Sequence, residues 1–383
     1  MTSLSIILSA GVEYHMRANA ICRPHISGRK HIRAAFIGAA ALAWLMLWDG
    51  CSYSHSFPAG FVRFAPQLDA WENRSEGFCL VLVSSSDRAQ GFLEWNSQGI
   101  YGRIVQAQKN GNTVAITLGD GGMNGLQLSI FLKRKSIIAE YFRKDKSALQ
   151  PFRIEAWHVS SEEGMRVLGA TFVEKLPNEG ALSLRLQYVS AQDAARSRIL
   201  DEILRRGMSP YNMAELRLAQ QKEAAVAVQN RAPPPQEYEE IEYPVFISDQ
   251  YLSIATQHYL FDGGAHGAAS TTFDIIDRAK GKRLSAQDIF AGDWKAGLKP
   301  LLAAELMRQS AFWGNSGQEA DLKALGLFES ELYPSDDIFV CAGGVGFQYD
   351  RYQIAPWYMG EFIIILPWNE LTSYLSPAFK IPQ

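Results

Sequence analysis

The sequence predicts an α+β C-terminal module, an antiparallel sheet with packed helices, preceded by a mostly antiparallel β domain. Three observations lead there. Between residues 77 and about 175, short runs rich in β-branched and aromatic residues succeed one another with no helical stretch between them. Over 191–229 the apolar spacing changes to that of a helix. From 244 onward strand-like runs return, broken by one helical segment at 294–310.

The β-rich part reads as FCLVLVSS, GFLEW, GIYGRIVQAQ, TVAITL, LQLSIFL, SIIAEYF and FRIEAWHV. Turn signals separate them, Asn110-Gly111-Asn112 and Gly119-Asp120-Gly121-Gly122. Alternation is clear where Leu126, Leu128, Ile130 and Leu132 face away from Gln127, Ser129 and Phe131. Such an order suits a meander closed into a small barrel or folded into a sandwich. Ala195, Ile199, Ile203 and Leu204 then fall at helical spacing, a second helix covers 213–229, and Pro233-Pro234-Pro235 stops it. The resulting division is 1–51 signal peptide or anchor, 52–70 tether, 71–175 β-rich domain, 176–235 α+β companion segment, and 236–383 C-terminal domain.

The N-terminus speaks for export. Residues 34–48, AAFIGAAALAWLMLW, carry no charge, and Arg29, Lys30 and Arg33 precede them. Fifteen apolar residues are few for a membrane span, which needs about 20, but suit the apolar region of a signal. Gly50 stands directly before Cys51, the arrangement lipoprotein processing needs, so Cys51 is the candidate lipid attachment site. Trp48 and Asp49 depart from the usual lipobox. Export places the body on the outer side of the cytoplasmic membrane, held to that membrane through the N-terminus. An uncleaved signal anchor, with residues 1–33 in the cytoplasm, is the competing reading.

Charge restricts the partners. Without residues 1–50 the chain keeps 32 basic and 38 acidic residues. A mildly acidic body argues against nucleic acid, which needs a concentrated basic face. No HxH, HExxH, HxxE or GxSxG pattern occurs, so no metal ligand, cofactor or catalytic residue is assigned. Cys79 and Cys341 either pair in an oxidising compartment or remain separate buried thiols.

The segment from Tyr251 to Thr271 is the most informative. A strand ends at Phe261, Asp262-Gly263-Gly264 turns, and His266 follows beside Gly267. The glycines permit positive φ and close approach of a partner to the main chain. Downstream, a strand from Phe347 to Tyr352 leads to Pro356, Tyr358 and Gly360, and Phe362–Leu366 forms another. Asp262, Gly263, Gly264, His266, Tyr352, Pro356 and Tyr358 are therefore the candidate ligand-binding residues. Each glycine or aromatic here has a packing explanation too, a tight turn or a closed core.

These residues resemble the C-terminal domain shared by the lysozyme-sensing anti-sigma factor RsiV and the accessory region of the peptidoglycan deacetylase PdaC. The resemblance runs over about 244–376 and rests on Tyr259, Gly263 to Gly267, Phe273, Gly281-Lys282, Leu284, Phe290, Tyr352 to Gly360, and Leu366 to Leu371. Phe261-Asp262 departs from the Tyr-Thr usual before the glycines. The resemblance implies a non-enzymatic envelope domain that binds a cell-wall component, such as peptidoglycan, or a secreted lysozyme-like protein. Two alternatives stay open, an envelope glycan hydrolase or deacetylase-associated protein using Asp262 and His266, and a signal-anchored anti-sigma-type sensor.

Overall fold

The computed structural model describes residues 57–110, 112–119, 126–133, 136–141, 152–159, 164–176, 180–228, 236–263, 266–312 and 321–382, together with two short strands near the start. Those are β1 (Ser5–Ile7) and β2 (Glu13–His15), which pair antiparallel with Ser5 opposite His15. They belong to a unit, Met1–Ser52, distinct from the one that holds the rest, Tyr53–Gln383. The apolar run 34–48 and Cys51 lie outside the described residues. Among the described residues, no helix is long and apolar enough to cross a membrane.

After β3 (Val62–Phe64), eight antiparallel strands form a closed barrel. They are β4 (Gln67–Asn73), β5 (Phe78–Ser84), β6 (Ala89–Trp95), β7 (Ile100–Asn110), β8 (Thr113–Gly119), β9 (Leu126–Leu132), β10 (Ser136–Tyr141) and β11 (Phe152–His158). Trp157 and His158 of β11 pair with Glu72 and Trp71 of β4, and this closes the ring. Eight strands leave an interior that side chains alone can fill. Here Leu80, Leu93, Trp95, Ile116, Ile130 and Ile137 fill it. Leu128 and Ile130 point inward and Phe131 outward, as the alternation predicts.

The C-terminal part is built on a seven-stranded sheet. It adds β12 (Met165–Lys175), β13 (Ala181–Ala191), β14 (Gln236–Ile247), β15 (Tyr251–Phe261), β16 (Ala268–Asp277) and β17 (Lys282–Leu284) to β3. The order is β17-β16-β15-β14-β13-β12-β3. All neighbours are antiparallel except β13 and β14, which run parallel with Leu182 opposite Gln236. A parallel pair needs a long crossover, and helices α1 (Ala194–Arg205) and α2 (Pro210–Val228) supply it. Asp193 caps α1 by accepting from Arg196 N at 2.9 Å. Buried Arg205, near the end of α1, donates to Asp201 and to Glu242 of β14, which ties the crossover to the sheet.

Beyond β17, Ser285 and Asp288 form a capping box that opens α3 (Ala286–Ile289). Then come α4 (Trp294–Phe312) and a three-stranded antiparallel sheet, β18 (Ile338–Val340), β19 (Gly344–Tyr349) and β20 (Phe362–Pro367), with α5 (Trp368–Leu371) last. The molecule is mostly β, with an antiparallel barrel followed by a domain of sheet and helices.

Three stretches differ from the sequence reading. Residues 52–70 contain β3 and the start of β4, strands too short and too close to Pro66 to show a period. Residues 165–175, counted with the β-rich domain, pair along their whole length with β13 and so extend the larger sheet. The strand expected over 347–352 stops at Tyr349, because Asp350 accepts from Gln353 N in a turn. Cys79 and Cys341 are separate buried thiols.

The barrel wall and the C-terminal sheets share a core. Val83, Phe92 and Tyr101 of the barrel meet Tyr243, Phe273 and Phe339. Phe92 packs edge-on to Phe339 at 5.2 Å. Buried Glu94 of β6 accepts from the amides of Ala342 (2.9 Å) and Gly343 (2.7 Å), so a barrel carboxylate holds the β18–β19 turn.

Candidate functional site

The glycine loop and the segment between β19 and β20 come together, although some 90 residues separate them in sequence. Register explains half of the site. Glu237 lies opposite Phe261, and Tyr259 lies opposite both Glu239 and Ala269, so these side chains share one face of β14–β16. Gln257 stands on the same face, two residues before Tyr259. Above that face the 350–361 segment bends over and encloses a cleft of about 560 Å³. Glu237, Gln257, Tyr259, His266, Arg351, Trp357 and Glu361 line it.

The cleft has an aromatic wall. The His266 ring stacks on Trp357 with centroids 4.7 Å apart and planes 26° apart. Arg351 lies over the same indole at 4.8 Å. Tyr352 comes within 6.5 Å of His266. Its backbone is left-handed, with φ 68°, a conformation that costs a non-glycine residue about 1–2 kcal/mol. The turn around it imposes that shape, since Asp350 N donates to Gln353 Oε1 at 2.8 Å. Such strain persists only where the surrounding structure over-determines it. Gly267 permits the loop to close, because a Cβ there would stand 2.3 Å from the Tyr259 ring.

The floor is polar and fixed. Arg103, from barrel strand β7, pairs with Glu361 at 2.5 Å and donates to Thr271 Oγ1 at 2.8 Å. Gln348 donates to Glu361 at 2.9 Å, and Thr271 N donates to Asp350 at 3.1 Å. Arg103, Glu361, Thr271 and Gln348 are all buried, so a barrel side chain holds Glu361, which lines the cleft, from behind. Burial, then the carboxylates of Glu237 and Glu239, push the Tyr259 phenol up, so it stays a neutral donor.

The residues proposed from sequence fare differently. His266 lines the cleft, and Tyr352, which is exposed, stands beside it with its ring 6.5 Å from the imidazole. Pro356 opens the short turn Trp357–Met359 that presents the indole. Tyr358, 76% exposed, lies beyond the cleft lining. Gly263 takes φ 92° as the turn requires. Gly264 lies outside the described residues. Asp262 is exposed, and among the described residues no hydrogen bond or ion pair joins it to His266. Sequence reasoning missed Glu237, Gln257, Arg351 and Glu361. The period-2 spacing of Gln257 and Tyr259 was the available signal for the first of the β15 pair.

Comparison with known proteins follows the same region. Residues 287–369 match the family DUF3298, described as a protein of unknown function. A DUF3298 family member from Bacteroides fragilis is similar in structure, with 20% identity, a TM-score of 0.46, and coverage of 56% of this chain and 94% of that one. A DUF3298 family protein from Pseudomonas aeruginosa PAO1 shows 21% identity, a TM-score of 0.41, and coverage of 57% and 96%. No curated protein matches the chain. The 350–361 half of the cleft lies inside the matched residues and the β14–β16 half precedes them. The chain carries a DUF3298 domain over residues 287–369.

Proposed function

We propose that this protein is a non-enzymatic cell-envelope binding protein whose cleft holds a glycan of the bacterial wall. The carrying observation is the Trp357 platform. The Trp357 indole, packed against the His266 ring and with Arg351 4.8 Å from its centroid, borders a cleft that also presents an amide, a phenol and carboxylates. A pyranose ring offers C–H groups on one face and hydroxyls around its rim. The aromatic wall suits the face, and Gln257, Tyr259, Glu237 and Arg351 suit the rim as donors and acceptors. The resemblance to RsiV and PdaC supports a site of action outside the cytoplasm, and so does the basic flank before an apolar run. In this reading Cys51 carries the lipid that holds the body to the membrane.

The test is retention on purified wall glycan. Wild-type protein is expected to be retained and Trp357→Ala to be lost; no retention of the wild type would remove the reading. Mass spectrometry of the mature N-terminus tests the anchor separately. Loss of residues 1–50 with lipid on Cys51 is expected, whereas an intact residue 1–33 segment would point to the sensor topology.

A further inference from the structure

A second cleft, of about 500 Å³, lies on the same sheet face and shares Gln257 with the first. Tyr259 and Gln257 stand opposite Glu239 and Ile241, which line it, so the face runs from one cleft into the other without a break. Its far wall is a gap in the barrel. Strands β6 and β7 pair only where Phe92–Trp95 face Ile100–Arg103. Past Phe92 and Arg103 their ladder ends, while β6 stays paired with β5 and β7 with β8. A bulge at Val105 shifts the β7 register at this point. Ala89 and Gln90 on one side and Ile104 to Gln108 on the other therefore line the cleft instead of bonding each other.

The chemistry of this cleft is that of amides. Its charged groups are already neutralised in pairs. Arg88 binds Glu239 at 2.6 Å, Asp87 binds Arg185 at 2.8 Å, and Arg103 binds Glu361. What remains is the carboxamides of Gln90, Gln106, Gln108 and Gln257 with the main-chain edges of two strands. Among the described residues these four side chains make no hydrogen bond. Such a surface repays a ligand that is itself a chain of amide donors and acceptors. An extended peptide adds to unpaired strand edges in this way.

We infer that the second cleft binds an extended peptide joined to the glycan in the first, so that the ligand is a peptide-bearing glycan strand. This rests on the glycan reading of the first cleft and adds a peptide subsite to it. The full chain would be titrated calorimetrically with three probes: wall glycan stripped of peptides by an amidase, glycan of the same length that keeps them, and the free peptide. The peptide-bearing glycan is expected to bind about tenfold more tightly than the stripped one. The double variant Gln106→Ala/Gln108→Ala should abolish that difference and leave stripped glycan unaffected. Both side chains are exposed, so folding is not at issue. Equal binding of the two glycans would overturn the peptide subsite and leave the glycan site standing. A difference that persists in the double variant would overturn it too, by placing the peptide elsewhere. Free peptide held, sensitive to the double variant, with neither glycan bound would keep the peptide site and remove the glycan reading. No binding of any probe would overturn both.

Discussion

Replacing Arg103 by alanine removes the barrel guanidinium that pairs with Glu361, a lining residue of the first cleft. The guanidinium is 5% exposed and its partner Glu361 is 2% exposed. The change leaves a buried carboxylate without its guanidinium, while Gln348 still donates to it at 2.9 Å. Removing one member of a buried pair costs about 3–5 kcal/mol, mostly because the remaining charge is uncompensated. A further hydrogen bond, to Thr271 at 2.8 Å, goes with it. With a urea m-value of about 3 kcal/mol per M, the unfolding midpoint should fall by about 1–1.7 M. Arg103→Met combined with Glu361→Gln should recover much of that loss, since no buried charge remains. Equilibrium urea unfolding followed by tryptophan fluorescence measures Arg103→Ala, and Arg103→Met and Glu361→Gln singly and together, which gives the coupling between the sites. A loss below about 1 kcal/mol for Arg103→Ala, or a coupling near zero, would refute the argument that barrel and C-terminal sheet are joined electrostatically at this point.

The other predictions address the site, the backbone and pH. Trp357→Ala should weaken glycan binding by about 10- to 100-fold without moving the urea midpoint by more than a few tenths of a molar, as calorimetry and unfolding together would show. Gly344→Ala should destabilise by about 2–4 kcal/mol, because its Cβ would meet the Leu366 carbonyl oxygen at 1.9 Å and neither strand can give way; the thermal midpoint reads this. Backbone and side-chain hydrogen bonds from Ser285, then Lys282, hold the Asp288 carboxyl down at about 2. A folded pKa below the unfolded value of 3.8 means that its stabilising effect is present above 3.8 and lost as pH falls toward about 2. Asp288→Asn should therefore flatten the acid limb of a stability–pH curve between those values and leave its slope above pH 5 unchanged.

Much of the secondary structure was readable because its cause is local. The alternation around Leu128 and Ile130 marks a half-buried strand wherever that strand ends up. The helix expected over 294–310 is found at Trp294–Phe312 for the same reason. The site was half legible. Glycines around His266 and aromatics beside Pro356 carry a chemical signature in their own letters. Gln257, Arg351 and Glu361 do not, since a lone amide or charge on a strand or in a turn is the common furniture of any surface.

The chain by itself therefore determined many of its strands and helices, its acidic body, and a basic flank ahead of fifteen apolar residues, all properties set by neighbours in sequence. Tertiary structure alone decided the rest. Barrel closure depends on β11 meeting β4, more than 80 residues away along the chain, and the parallel joining of β13 to β14 depends on where two helices return. The cleft itself exists because Glu361 meets Arg103 and His266 meets Trp357. Burial and pairing between such distant residues are settled by the global packing of apolar surface, and no local pattern encodes them.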